Sequence, residues 1–599
     1  MMKKRFSNDI RRRPRNGRFI PILLALMVPA ACASSDFEMT NELGPIGHNP
    51  ALSAAKPLEL GKSFTGHYIA GRHAQSEREM NEAATYLEQA LKLDPKNPAL
   101  LRRTFILMIA EGRMQRAFAL AERLIAVSDN APIASLALIS RDFRDKKYAA
   151  ASARLDTLPD RGLNAFLVPL LRAWALQGQG ETQAALKALL PLSKRKGSEV
   201  LYDLHAALIH EVAGQNTAAE PLFEKIRASQ NGSSLRMAKL LGSFYERRDN
   251  PEKALALYEE HLKHNPNSRL FEPDIARIKS GKKPEAVIAD AIDGVSEGLF
   301  GIASSLRQQN AEETALVIGQ LGLYIKPDFP IMRILIGGIL DQDERYDSAN
   351  AVYGKIDKTS PFSWPAQLRI ASNLDKLDRT EEAVAMLEAM AKQHADKPDP
   401  LIDLGDILRS RERFAEAVKA YDRAFARIKE IKSQHWSLFY ARGISLEQSK
   451  QWPRAEADFL KALEFEPEQP YVLNYLGYSW IDRGKHLTKA QDMIRKAVSL
   501  RPNDGYIVDS LGWVYYMLGN YEDAVPELER AVELRPQDPV INDHLGDAYW
   551  RVGRVTEARF QWSRVLDLKA EKDLAAKVRK KLKNGLIEAA KIKVEGDGP

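Results

Sequence analysis

Apolar positions in this chain recur at helical spacing, and the helices themselves recur. Within 505–538, Val508, Leu511, Gly512 and Tyr515 fall at i, i+3, i+4 and i+7, one stripe of an amphipathic helix. Gly519 ends that helix. Asn520 stands where the next would be capped, with Asp523 three residues on in its first turn. Ala524, Leu528 and Ala531 form a second stripe, which Arg535-Pro536 breaks. Gly512 and Ala524 are small where the two helices must approach closely. The unit then repeats: YVLNYLGYSW, YIVDSLGWVYY and VINDHLGDAYW begin at Tyr471, Tyr506 and Val540. Gly477, Gly512 and Gly546 are 35 and 34 residues apart, Ala490, Ala524 and Ala558 are 34 apart, and Pro467, Pro502 and Pro536 close the units.

The pattern extends backward with decay. Gly405 with Ala417 and Tyr421, and Gly443 with Ala455, Phe459 and Ala462, keep the phase. So do Gly337, Ala349, Tyr353 and Pro361; Gly242, Tyr245, Ala254 and Pro266; and Gly71, Ala83, Leu87, Ala90 and Pro95. Weaker units follow Pro98, Pro132, Phe166, Val200, Ser296 and Phe362. A 34-residue helix-turn-helix with a small eighth residue and a closing proline resembles the tetratricopeptide repeat. The resemblance implies an all-α solenoid of about fourteen repeats over 64–570, each burying its faces against its neighbours.

Four segments stand outside the array. Residues 1–31 read as a signal peptide: a basic start, then the thirteen-residue apolar run Phe19–Ala31, too short to span a bilayer. Cys32, the only cysteine in 599 residues, follows that run directly. With Pro29 where the motif prefers Leu, this resembles the signal of a bacterial lipoprotein, which implies lipidation at Cys32. Ordinary cleavage after Ala31-Cys32-Ala33, giving a soluble periplasmic protein, is the alternative. Ala33 does not resemble an inner-membrane retention signal, so the resemblance favours the periplasmic face of the outer membrane. Residues 33–60 lack periodicity and read with Cys32 as a tether (32–60), averaging roughly 30 Å end to end as flexible coil. Residues 267–295, containing Lys279–Pro284, interrupt the phase. They are expected to form a hinge between an N-terminal block (61–266) and a C-terminal block (296–570). In 571–599, Leu574, Val578 and Leu582 stripe a capping helix whose other face is expected to carry Lys577, Arg579, Lys580, Lys581 and Lys583, with a second role on an anionic surface.

Charge narrows the function classes. The formal +7 hints at nucleic acid. Residues 1–31 hold eight basic and one acidic residue, a net of +7, so everything after them is neutral and no nucleic-acid partner is expected. A chain free of cysteine beyond Cys32 has no disulfide and no thiolate metal site. Gly61-Lys62-Ser63 has Lys56 where a phosphate loop requires glycine, and His210-Glu211 lacks the second histidine of a zinc-protease helix. We expect no enzyme, no cofactor and no metal.

What remains is surface. Six of the eight tryptophans (Trp436, Trp452, Trp480, Trp513, Trp550 and Trp562) lie beyond residue 430. The packing stripes claim Trp480, Tyr515, Tyr549 and Trp562. The first helix of each repeat lines the concave groove in the resembled family. That places Tyr471, Asn474, Tyr478, Tyr506, Asp509, Trp513, Tyr516, Asp543, Asp547 and Trp550 in a partner-binding groove, beside Val540. The clamp for acidic tails is unmatched, so a neutral or basic extended peptide is expected. The layout resembles envelope tetratricopeptide lipoproteins of Gram-negative bacteria, including adaptors of carboxyl-terminal processing proteases that present cell-wall hydrolases. It implies a lipid-anchored scaffold for envelope proteins. A subunit of an export or outer-membrane assembly machine is the alternative, and a glycan-binding groove is the less favoured one.

Overall fold

The computed structural model describes residues 63–128, 131–229, 234–265 and 268–586. The expected signal peptide and tether, Cys32, and the tail beyond 586 lie outside the described residues. Thirty helices and no strands occur among them. They are α1 (Phe64–Ser76), α2 (Met80–Leu93), α3 (Pro98–Ala110), α4 (Met114–Val127), α5 (Pro132–Arg144), α6 (Tyr148–Leu155), α7 (Asn164–Gly178), α8 (Thr182–Ser193), α9 (Glu199–Val212) and α10 (Asn216–Ser229). Then follow α11 (Leu235–Arg247), α12 (Pro251–His264), α13 (Glu272–Lys279), α14 (Ala291–Gln308), α15 (Glu312–Ile325), α16 (Pro330–Gln342), α17 (Tyr346–Tyr353), α18 (Ser363–Lys376), α19 (Thr380–Gln393) and α20 (Asp399–Ser410). The last are α21 (Phe414–Arg427), α22 (Trp436–Gln448), α23 (Trp452–Phe465), α24 (Pro470–Asp482), α25 (Leu487–Leu500), α26 (Gly505–Met517), α27 (Tyr521–Leu534), α28 (Pro539–Arg551), α29 (Val555–Asp567) and α30 (Lys572–Asn584). With α13 and α30 set aside, they make fourteen successive pairs. The fold is a tetratricopeptide α-solenoid.

The small residue at the crossing has the role its spacing implies. A Cβ on Gly512 would meet Leu528 Cγ at 2.6 Å, and one on Gly546 would meet the Trp562 ring at 2.6 Å. The large side chain of the second helix seats where the first offers none. Gly519, at φ +85°, turns the chain between α26 and α27 in the left-handed region open to glycine. Asn520 does sit at the start of α27, but its side chain makes no capping bond. In these last repeats the first helices are the capped ones: Asp504 accepts from the Tyr506 N–H, and Asp538 from Val540 and Ile541.

The chain forms two compact units, 63–379 and 380–586. This differs from the expected hinge. The phase is indeed interrupted at 267–295, where α13 stands alone and α14 begins at Ala291. Yet that segment lies inside the first unit. α14 packs on α7 and α9, and α15 packs on α3 and α5, the inner helices of the earlier repeats. Glycines bring α14 this close: a Cβ on Gly294 would collide with the Trp174 ring, and one on Gly298 would lie 2.6 Å from Leu170 Cδ2. Val295, Leu299 and Phe300 are buried in the same core as Leu170, Trp174 and Ala206. Each such side chain is worth about 1.5–3 kcal/mol.

Polar groups lock the arrangement. Arg236 Nε donates to both Glu297 carboxylate oxygens at 2.9 and 3.0 Å, and both side chains are buried. The Trp174 indole N–H donates to His205 Nδ1 at 3.0 Å. Burial drives the His205 pKa down to about 3, so it accepts as a neutral imidazole. Gln320 on α15 donates to the Ala110 carbonyl at 3.1 Å, and Tyr324 packs edge-on against Phe118 at 4.8 Å. Arg345 forms a buried pair with Glu111, 234 residues away.

Candidate binding surface on the second unit

In the second unit the principal contacts join only nearest and next-nearest helices along the chain. The inner face that α14 and α15 cover in the first unit is therefore left to side chains here. On α24, α26 and α28 these stand in three rows: Tyr471, Tyr506 and Val540; Asn474, Asp509 and Asp543; Tyr478, Trp513 and Asp547.

The rows divide by burial. Tyr471, Tyr506, Trp513, Tyr516 and Trp550 are half-buried and reach the surface. Asn474, Tyr478, Asp509, Asp543 and Asp547, expected to face a ligand, are buried instead, as is Val540. The cause is neighbouring repeats meeting face to face. Asp509 is fully buried and takes His544 Nδ1 of the next inner helix at 2.9 Å. The His544 ring stacks on Trp513 at 3.8 Å, and Trp513 stacks on Tyr516 at 4.6 Å. Burial pushes the Tyr478 phenol far up, and the Trp513 side chain hydrogen-bonds to it. Arg551 Nε donates to the Tyr516 hydroxyl at 3.4 Å, and the Arg535 guanidinium lies 4.9 Å over Tyr506. Asn474 is the exception in its row: neither its amide nitrogen nor its oxygen has a partner among the described residues.

At the end of the face, Asp543 and Asp547 close on the cap. Lys581 donates to Asp543 Oδ1 at 2.8 Å and to both Asp547 oxygens at 2.6 and 2.7 Å. The Trp562 indole donates to Asp547 at 2.9 Å. Burial, and next the charge of Asp543, push Asp547 up to about 6, against the pull of Lys581. Gly585 lies against Trp550, where a Cβ would overlap the indole ring. Lys581 thus turns inward, not onto the outer face expected for it.

Three of the four packing-stripe aromatics are buried as expected: Trp480, Tyr549 and Trp562. Tyr515 is half-buried, its hydroxyl taking Arg495 Nε at 3.2 Å. His544, Arg551 and Lys581 complete the face and were not picked out by periodicity, which reports an orientation and not a cross-helix partner. No group of three His, Cys, Asp or Glu side chains among the described residues could hold a metal ion, and no helix there is long and apolar enough to cross a membrane. The face offers stacked aromatics and neutralised charges, which is binding chemistry.

Comparison with known proteins agrees on the repeats. Residues 66–97, 170–234, 206–269 and 368–430 match the tetratricopeptide repeat, and 512–553 match the TPR repeat. The TPR repeat-containing protein PA4667 of Pseudomonas aeruginosa is 30% identical over 190 residues, 30% of this chain and 30% of that protein. Protein O-mannosyl-transferase TMTC1 of Homo sapiens is 26% identical over 203 residues, 34% of this chain and 20% of that protein. The chain thus spans less than a third of the length of either curated relative. Among solved structures, the Cut9–Hcn1 hetero-tetramer of APC/C superposes with a TM-score of 0.36 at 16% identity, covering 88% of this chain and 97% of that one. YrrB, described as a TPR protein with an unusual peptide-binding site, superposes with a TM-score of 0.25 at 19% identity, covering 32% and 97%.

Proposed function

We propose that this protein is a non-catalytic scaffold of the bacterial envelope, held by a lipid on Cys32 at the periplasmic face of the outer membrane, and that its second unit captures protein partners. The reading is carried by one observation. Tyr471, Tyr506, Trp513 and Tyr516 stand half-exposed on successive inner helices, while the matching face of the first unit is filled by its own chain. Large aromatics of this kind form the energetic centres of protein interfaces. The carboxylates behind them are already bonded, Asp509 to the His544 ring and Asp543 and Asp547 to Lys581, and with the acidic-tail clamp unmatched in the sequence a neutral or basic extended segment suits the aromatics best. In this reading the scaffold presents its partners to a processing protease.

Crosslinking in intact envelopes followed by pull-down tests the reading. Recovery of a processing protease with cell-wall hydrolases supports it; recovery of export or assembly components selects that alternative. Trp513→Ala should weaken capture by about tenfold or more, as for a central anchor, with helicity retained. Loss of helicity would make Trp513 a packing residue only. Fatty-acid labelling should require Cys32, and equal labelling of Cys32→Ala removes the anchor.

A further inference from the structure

Several arginines of the second unit are matched with carboxylates: Arg413 with Glu381 and Glu416, Arg423 with Glu388, Arg454 with Asp422, Arg554 with Glu529 and Glu557. The cap gathers cations that are not. Lys577, Arg579, Lys580 and Lys583 of α30 are exposed, and none pairs with a carboxylate among the described residues. With Leu574 and Val578 facing the core and Lys581 turned inward to the acid pair, helical geometry fans these four, with Lys572, over the outer arc of the helix. From Lys577 to Lys583 they span about 9 Å of helix axis.

The neighbouring helix carries an exposed apolar side chain. Phe560 on α29 is 63% exposed, the most exposed large hydrophobic side chain among the described residues. Its sequence neighbour Arg559 donates to the Leu582 carbonyl at the end of the cap at 2.8 Å, tying the two helices together.

We propose that the outer face of α30 is a docking surface for anionic phospholipid headgroups, separate from the partner-binding face of the same unit. The chemistry favours a bilayer surface. Lysine is a hydrated point charge on a long apolar stem, which suits a diffuse layer of phosphates more than the bidentate recognition of one group. Several cations spread along one helix, with an exposed aromatic ring on the helix packed against it, is the make-up of an interfacial contact. It does not depend on Cys32, because the cap would engage lipid whether or not the N-terminus is anchored.

The single cysteine makes a local test practicable. In a full chain carrying Cys32→Ala, Asn584→Cys provides one thiol beside the cap for a polarity-sensitive dye. Vesicles of phosphatidylglycerol in phosphatidylcholine should shift the dye to the blue, and pure phosphatidylcholine should not. Combined Lys577→Glu, Lys580→Glu and Lys583→Glu should weaken the response by roughly tenfold or more, with circular dichroism and melting unchanged because Lys581, Leu574 and Val578 are kept. Salt at about 0.5 M should suppress it likewise. An unchanged dye, an equal response to neutral lipid, or full response in the triple variant overturns the proposal. So does a response to duplex DNA without one to vesicles. Because the dye reports only the cap, lipid binding through the N-terminus does not imitate success, and loss of the Cys32 anchor does not imitate failure.

Discussion

The two units are built from the same repeat and differ in what covers the inner helices. In the first, α14 and α15 return across α3, α5, α7 and α9 and bury the face. In the second, adjacent repeats close most of their own polar positions and leave a line of aromatics. The difference teaches that a repeat specifies a curved stack but not an available groove. In the first unit the glycines of α14 make its own chain the occupant.

Substitutions within each unit should act on that unit alone. The largest effect is expected from Glu297→Ala, which strands Arg236 as a buried unpaired charge. It should cost the first unit about 3–5 kcal/mol in chemical denaturation, with partner capture by the second unit unchanged. Loss of capture in the folded variant would place the binding surface in the first unit. Gly294→Ala pushes a methyl into Trp174. About 1–3 kcal/mol of destabilisation is expected, and a neutral result would show that α14 is loosely seated.

The smallest effect concerns pH at the other end. Asp547 ionises at about 6 in the fold against 3.8 for a free side chain. A carboxyl raised on folding stabilises fully below its unfolded value, and that contribution is lost as pH rises through the folded one. The cap should therefore gain stability relative to the Asp547→Asn variant as pH falls from 7 toward 4, measured as the difference between the two melting curves. The gain must be read as that difference. Ion-paired carboxyls such as Glu388, held low by its bond from Arg423, work in the opposite direction as acid is added. Parallel curves for the two proteins would show that the acid pair does not titrate in this range.

Much of the fold was legible. Gly477, Gly512 and Gly546 announce close crossings at a fixed period, and the structure seats Ile494, Leu528 and Trp562 against them. The return of α14 was not legible. The segment 267–295 ahead of it breaks the phase and reads as a hinge, and periodicity reports only contacts between neighbours in sequence. The candidate site was half legible for a related reason. Asp509 and Asp543 occupy inward positions where a groove residue would stand, but the partners that consume them come from two helices further on. His544 is a single ring in a row otherwise unremarkable, and Lys581 sits among five other cations between 572 and 583. Only the packing of α28 and α30 separates it from them.

The return of α14 and α15 has a consequence for the time course of folding. A nearest-neighbour stack can add repeats one at a time as each becomes available, because its contacts are local. The second unit has that property. The first does not: Glu111 waits for Arg345, and Trp174 waits for Gly294. These long-range contacts raise its contact order above that of a nearest-neighbour stack, which slows folding. Until residues near 325 have emerged from the ribosome, the apolar inner faces of α3 to α9 stand open to other chains, so this half of the molecule is where assistance during folding would matter most.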